Sequence, residues 1–418
     1  MSTAGPPIEV LVIGAGIAGT AASLGAAKAG ARVRVLDGGP GASSLATGAI
    51  DLHHWRRGAP SRGEIPLFAR DVLGAVGSFV LPDGGSVLLT TAGVIRTALG
   101  HDAALLDLSP FAGGCVAVVR CARPGWDADA LASAAGGAWM AMEARVLRHA
   151  DERALVDADF AARHDDETRL AWLADRLREA LATEPKGSRV AALLLPPSLG
   201  VDRPRAQALS QRVGIPCGEP VAMPGGPSGL RFERARDRAL AGAGVERAPE
   251  RAERVERAER GWRVTTTAGT KLEALAVVLA TGGLLGGGLE YAPIGPILET
   301  RAPSRAHPPV RLTIDAPVSV GAHGRPLEAP GTLFGAAPED LAWPSAPDGL
   351  LERAGVLADE EGRCLRAPPG LYVAGEIVAD ATHTWVRALL SGARAGAAAA
   401  AFAITCAPSP DRGPPSRP

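Results

Sequence analysis

A buried strand running into Gly14-x-Gly16-x-x-Gly19, a second running into Ala280-Thr-Gly-Gly283 and a third running into Ala374-Gly-Glu376 predict an α/β protein. The expected architecture is a Rossmann-like FAD/NAD(P)-binding fold with an inserted α/β capping or substrate domain. The first segment carries the most information. Val10-Leu-Val-Ile13 reads as a strand, Thr20 to Ala29 as a helix of small residues closed by Gly30, and Arg32-Val-Arg-Val-Leu36 as the next strand. In such a unit Gly14 permits the tight turn, Gly16 lets the backbone approach a pyrophosphate, and Gly19 lets helix and strand pack closely. The helix N-terminus then offers N–H groups and a partial positive charge to the phosphates. Asp37, at the end of the second strand, stands where a carboxylate holds a ribose.

The second segment, Val277-Val-Leu-Ala-Thr-Gly-Gly283, should bring Thr281 and Gly282 beside the nucleotide. The Gly286-Gly-Gly288 run after it reads equally well as a plain flexible loop. The third segment is Gly370-Leu-Tyr-Val-Ala-Gly-Glu376, followed by Asp380 and by Ser391-Gly392 in the next helix. Gly375, Glu376, Asp380, Ser391 and Gly392 are expected to serve the ribityl chain and phosphate of a flavin. An NAD enzyme needs only the first segment, so three in this order favour a flavin, and the Asp37 carboxylate favours FAD within that class.

Lys plus Arg is 44 and Asp plus Glu is 45, so no net basic charge draws the chain to nucleic acid or to an anionic surface. No unbroken apolar run reaches the ~18–20 residues of a membrane span. The five cysteines form no Cys-x-x-Cys pair, which argues against a metal site and for a reducing cytoplasm. Residues 60–93 read as irregular, and Asp127 to Leu147 as an alanine-rich helix. Thr168 to Ala182 reads as an amphipathic helix, Val190 to Leu195 as a strand, and Arg251 to Arg260 as a solvated charge run. These readings place a discontinuous nucleotide-binding domain at 1–60, 235–300 and 350–406. The insertion then covers 61–234 and 301–349, with a disordered tail at 407–418.

Several further segments resemble a known family. Ala42-Ser-Ser-Leu-Ala-Thr-Gly-Ala-Ile-Asp51 resembles the Ser-Gly-x-x-Asp-Leu loop of the B-type flavoprotein of anaerobic glycerol-3-phosphate dehydrogenase, and Ala92-Gly-Val-Ile-Arg-Thr97 resembles its Gly-Thr-x-Arg-x-Thr element. Pro196-Pro-Ser-Leu-Gly200 and Pro227-Ser-Gly-Leu-Arg231 follow in the matching order. The family's late glycine-rich stretch is replaced here by Ala379-Asp-Ala-Thr-His-Thr-Trp385. The resemblance implies one flavoprotein of a three-chain enzyme. This chain is assigned FMN, and its implied partners are an FAD-bearing catalytic chain and a membrane-bound iron–sulfur protein. The implied enzyme oxidises sn-glycerol 3-phosphate to dihydroxyacetone phosphate and passes electrons to quinone. The implied location is cytoplasmic, peripheral to the inner membrane through a partner. Broader relatives are of the fumarate reductase and succinate dehydrogenase type, and two alternatives stay open at this point: another FAD oxidoreductase of that type, or a non-catalytic electron-relay or scaffold chain.

Oxidising a secondary alcohol requires a base for the hydroxyl proton. His383 is the expected base, with Asp51 as a second catalytic candidate; His53 and His54 lie in a segment expected to approach the flavin. Ser43, Ser44, Thr47 and Gly48 are expected to donate hydrogen bonds to the flavin. Arg96 and Arg231 are expected to clamp the phosphate of a small polyol substrate. Nothing in the sequence predicts a metal.

Overall fold

The computed structural model describes residues 8–52, 67–77, 79–291, 310–322, 325–326, 353–381 and 383–407. The chain opens with β1 (Ile8–Ile13), α1 (Ile17–Lys28), β2 (Val33–Leu36) and β3 (Ala49–Leu52). Then come α2 (Leu67–Gly77), β4 (Phe79–Val80), β5 (Ser86–Leu89), β6 (Ile95–Asp102) and β7 (Cys115–Arg120). The middle runs through α3 (Ala128–Ala135), β8 (Met140–Glu143), α4 (Asp157–Arg163), α5 (Glu167–Thr183), β9 (Val190–Leu194), α6 (Ala206–Val213), β10 (Cys217–Gly218) and α7 (Pro227–Gly242). After it follow β11 (Glu246–Ala248), β12 (Ala252–Arg257), β13 (Trp262–Thr266), β14 (Lys271–Leu279), β15 (Leu289–Tyr291) and β16 (Val310–Leu312). The last elements are β17 (Val320–Ala322), β18 (Arg325–Pro326), β19 (Gly355–Val356), β20 (Leu371–Val373) and α8 (Trp385–Cys406).

Two compact units result: Met1–Ala42 with Leu240–Pro418, and Ser43–Ala239. The expected division put residues 43–60 with the nucleotide-binding part and 301–349 with the insertion. The structure divides the chain differently, for a pairing reason. β3 is antiparallel to β6, which ties 49–52 to the inserted unit. β16 pairs β15 and β17 pairs β19, which ties the described part of 301–349 to the first unit.

In the first unit one sheet runs β11-β2-β1-β14-β13-β12, with β20 also on β14. β11, β2, β1, β14 and β20 are mutually parallel; β13 and β12 are antiparallel additions. Val10, Leu11, Val12, Val277 and Val278 have no exposure, as expected for central strands covered on both faces. Arg251 to Arg260 is not simply a charge run. It contains edge strand β12, whose Ala252 and Val255 are buried while Glu253 and Arg254 are exposed.

α8 is long and apolar enough, by length and composition, to cross a membrane. It is nonetheless not an unbroken apolar run, since Arg387 and Arg394 interrupt it. Its small residues lie against α1. A Cβ on Gly392 would come 2.1 Å from the Ala18 carbonyl oxygen, and one on Gly396 would come 2.1 Å from that of Ala22. The two backbones are in direct contact at these glycines.

In the inserted unit, β7, β8, β9 and β10 form a parallel sheet in the order β10-β9-β7-β8. Leu170, Leu173 and Leu177 on α5 pack into its core, as their spacing predicts. The helix expected over 127–147 stops at Ala135. Gly136 and Gly137 both adopt positive φ, 69° and 65°, and turn the chain into β8. Residues 60–93 are not irregular where they are described, for they hold α2, β4 and β5.

His164, which carries no signal in the sequence, is completely buried at the end of α4, with its ring edge-on to Phe160. Burial, helped by the Arg169 charge, pushes its pKa down to about 3. The folded chain therefore binds this proton less readily than the unfolded chain, whose histidine titrates near ~6.5. Its contribution to stability is full above that value and is lost as pH falls towards 3, by at most about 1.4 kcal/mol per pH unit. Urea unfolding of His164→Gln at pH 7 and pH 5 should show a shallower pH dependence than that of the parent. Gly396→Leu should lower stability by about 1–3 kcal/mol or more, read from the same urea transitions, because backbone stands where the side chain must go.

Candidate functional site

The parallel strands of the first unit end level with one another. Ala248 pairs with Leu36, Leu36 with Ile13, Ile13 with Leu279, and Leu279 with Val373, in one row across the sheet. The next residues, Asp37, Gly14, Ala280 and Ala374, form a rim at the carboxyl edge, where open α/β sheets bind ligands.

Gly14 has φ 104°, and a Cβ there would lie 2.3 Å from the Ala280 carbonyl oxygen. Only glycine fits both the angle and the contact. A Cβ on Gly19 would lie 1.8 Å from the Gly14 oxygen, so the helix packs directly on the turn. Gly16 is the N-cap of α1. It adds no side chain over the helix end, and no acidic residue sits in the first turn. The positive end of α1 therefore meets the rim without an acidic side chain of its own first turn in the way.

On one side of this turn stands Asp37, with only 9% of its side chain exposed. Its N–H donates to Ala248 O (2.8 Å), its Oδ1 accepts from the Gly39 N–H (3.3 Å), and its Oδ2 lies 3.4 Å from Arg247 Nε. On the other side lie Thr281 and Gly282. Thr281 Oγ1 is buried and has no hydrogen-bond partner among the described residues. Gly282 has φ 79°, and a Cβ on Gly288 would lie 2.5 Å from Thr281 Oγ1. The Gly286–Gly288 run is thus folded back on Thr281, with Gly288 N–H donating to Gly283 O (3.1 Å) and Thr313 Oγ1 to Gly287 O (2.8 Å). It is a shaped turn rather than a loose loop.

Farther along the rim, Gly375 has φ 82°, and a Cβ there would meet the Ala18 Cβ at 2.7 Å. Its N–H donates to Ser391 Oγ (2.9 Å), and that hydroxyl donates to Ala388 O (2.9 Å). Ser391 and Gly392 therefore serve as local struts, fixing Gly375 and the α1 crossing. Glu376 follows, with its carbonyl near Gly283. Asp380 holds a left-handed backbone (φ 59°), with its N–H on Arg353 O (2.9 Å) and its carboxylate 3.7 Å from Arg353 Nη1. His383 is half-buried, just before Thr384, whose Oγ1 caps α8 by accepting from the Arg387 N–H (3.2 Å).

The remaining predicted residues belong to the inserted unit. The family-like segments 42–51, 196–200 and 227–231 gather there around Arg231, which is 1% exposed. Arg231 Nε donates to Asp102 Oδ2 (2.7 Å) and Nη1 to Gly200 O (2.6 Å); Nη2 donates to Glu219 Oε2 (2.8 Å) and Ser228 Oγ (3.0 Å). Asp102 in turn donates its N–H to Gly48 O (2.7 Å), and Glu219 Oε1 accepts from the N–H groups of Ser198 and Leu199. Burial works against the Arg231 charge, yet Asp102 and Glu219 outweigh it and raise its pKa.

Arg231 is therefore a structural node, which corrects its reading as a substrate clamp: its guanidinium is already occupied by internal acceptors. Arg96 is exposed on β6 and is not among the partners of this node. Ser44 donates to Glu233, and a Cβ on Gly229 would lie 1.9 Å from Ser44 O, so α7 fixes this loop. Gly48 has φ 94° and sits against Ser228; Ser43 and Thr47 are half-buried. Asp51 is 6% exposed with a strained φ of 49°. His53 and His54 lie outside the described residues. Among the described residues no group of acidic, histidine or cysteine side chains could hold a metal.

A family model described as FAD-NAD(P)-binding matches residues 230–284, and one described as alanine dehydrogenase/PNT, C-terminal domain, matches residues 2–130. No curated protein matches the chain. Among solved structures, L-amino acid deaminase from Proteus myxofaciens is 16% identical with a TM-score of 0.26, covering 68% of this chain and 47% of its own. The chain thus spans less than half of that protein. Thioredoxin reductase from Gloeobacter violaceus is 12% identical with a TM-score of 0.32, covering 97% and 99%. Mycobacterium smegmatis Sdh1, solved in complex with UQ1, is 14% identical with a TM-score of 0.34, covering 97% and 70%.

The parallel sheet, the glycine turn and the FAD-NAD(P)-binding match make this a Rossmann-like nucleotide-binding α/β protein. A flavin-type cofactor and oxidoreductase chemistry are the class they support. The rim fits such a group: glycines at its closest approaches, an unpartnered buried hydroxyl at Thr281 and a held carboxylate at Asp37. Replacing Arg231 with Met should leave Asp102 and Glu219 buried without their counter-charge. Urea unfolding should show a loss of about 3–5 kcal/mol. Arg231→Lys should recover only part of it, since an ammonium cannot reach four acceptors in a plane.

Proposed function

We propose that this chain is the flavin-bearing component of an oxidoreductase that oxidises a small phosphorylated polyol. The observation that carries the flavin is the rim itself. Three segments, distant in sequence, end at one level of one sheet, and each meets the next through glycine. When bound there, a flavin supplies a hydride acceptor. The chain's own residues then have defined tasks. The α1 N-terminus holds the phosphate, Thr281 offers its hydroxyl, and the Gly375–Ser391 strut keeps the third segment in place.

The finer reading is sn-glycerol 3-phosphate oxidation to dihydroxyacetone phosphate, with electrons passed to quinone through an iron–sulfur partner. What supports it is the order of the family-like segments along the chain. In this reading His383 takes the hydroxyl proton, and Arg231 is occupied by internal acceptors. The assembly would include a separate FAD-bearing catalytic chain and a membrane-bound iron–sulfur protein, with this chain cytoplasmic and peripheral to the inner membrane.

Anaerobic titration of the flavin-loaded protein tests the substrate. Adding sn-glycerol 3-phosphate should bleach the flavin absorption, and His383→Gln should slow the bleaching ~100-fold or more. Bleaching by dithionite but not by sn-glycerol 3-phosphate would remove the substrate and leave the flavin reading intact.

A further inference from the structure

We propose that the surface formed by the loop Val201–Arg205, the start of α5, α6 and α7 docks an acidic segment of another protein. Every residue in it belongs to the inserted unit, so it stands apart from the nucleotide site. At its centre Asp202 draws in three arginines and satisfies one of them. Arg238, on α7, donates Nη1 to Asp202 Oδ1 (2.9 Å) and Nη2 to Asp202 O (2.8 Å). Arg234, one helical turn earlier, stands 3.9 Å from the same Oδ1, and Arg203 Nε stands 3.5 Å from Oδ2. Those separations are too long for good hydrogen bonds. The Arg203 and Arg234 side chains are 68% and 54% exposed. One carboxylate thus gathers both guanidinium groups while their donors face water.

A second arginine group adjoins the first. Glu167, at the start of α5, accepts from Arg205 and from Arg212, the latter on α6. Asp165 Oδ2 accepts from the N–H groups of Val201 (3.1 Å) and Asp202 (3.0 Å), which pins the loop to the start of α5. Asp166 accepts from the Arg169 N–H (2.8 Å) and caps that helix. Five arginines therefore meet four carboxylates, and two of the four, Asp165 and Asp166, are engaged by backbone N–H groups. The surplus at this surface is of donors. A guanidinium fork matches a carboxylate through two parallel hydrogen bonds. Separate carboxylates on Asp and Glu side chains can reach Arg203 and Arg234 one by one and pass on either side of Asp202. A continuous anionic surface, a lipid bilayer or a nucleic-acid backbone, would press its charge on Asp202 and Glu167 as well. The chain's 44 basic against 45 acidic residues give no overall attraction to such a polyanion.

The test uses the full chain and a fluorescein-labelled hexaglutamate peptide, with binding read by fluorescence anisotropy at low salt. The peptide should bind, and added salt should weaken the complex. Arg203→Glu combined with Arg234→Glu should weaken it ~10-fold or more and leave the urea midpoint unchanged. Arg251→Glu combined with Arg260→Glu makes the same change of net charge on exposed arginines of the other unit and should leave binding as it was. If the glutamates unfold the chain, Arg203→Gln with Arg234→Gln should still lower the affinity several-fold. No binding of the peptide would overturn the proposal, as would equal losses in the two double variants. Tighter binding to phosphatidylglycerol vesicles or to RNA than to the peptide, lost in the Arg203/Arg234 variant, would overturn it in favour of that polyanion.

Discussion

At the centre of the nucleotide site the Gly14 backbone lies directly on the carbonyl of Ala280. The contact joins the end of β1 to the end of β14, two strands separated by the whole inserted unit. It requires a positive φ and the absence of a Cβ at the same residue, and only glycine supplies both. Once made, it sets the level at which both strands stop. Asp37 on one flank and Ala374 on the other then fall into line through ordinary parallel pairing. The rim is thus a product of register, and its polar groups need no separate mechanism to bring them together.

The inserted unit is organised differently. Its family-like segments are drawn together by charge, with one guanidinium bridging Asp102, Glu219, Gly200 and Ser228. A buried network of this kind is a weak source of net stability, since desolvation offsets most of the attraction. It is strict about geometry, because each partner left unmet inside the protein costs free energy. The loop from Ser43 to Gly48 is one of the parts it orders, through the Asp102 N–H on Gly48 O and the contact of Gly48 with Ser228.

Local signals are legible in the sequence. The Gly14–Gly19 turn, the α5 leucines and the late strand at Leu371–Val373 all rest on patterns within a few residues. Structure and sequence pattern part where one short-range signal competes with another. Alanine content favours a helix through Leu147, but Gly136-Gly137 ends it. Charge content hides β12, whose inward positions, Ala252 and Val255, are too few to stand out. Arg231 looks like a ligand arginine because its partners lie elsewhere in sequence, Asp102 being 129 residues away. Arg247 gives no signal at all, since its meaning depends on β11 lying beside β2.

The separation of the rim segments also bears on when the site comes into being. Residues 43–239 form a unit of their own and lie between the first and second rim segments. During synthesis that unit is complete before Thr281 exists, and the strut at Ser391 appears later still. β2 is made soon enough to pair with β1, but β14 and α8, which complete the cover of β1 and α1, are made more than two hundred residues afterwards. Such non-local closure is slow and leaves a chain open to aggregation meanwhile. The rim is therefore assembled late, only once the segment that carries the Gly375–Ser391 strut has been made.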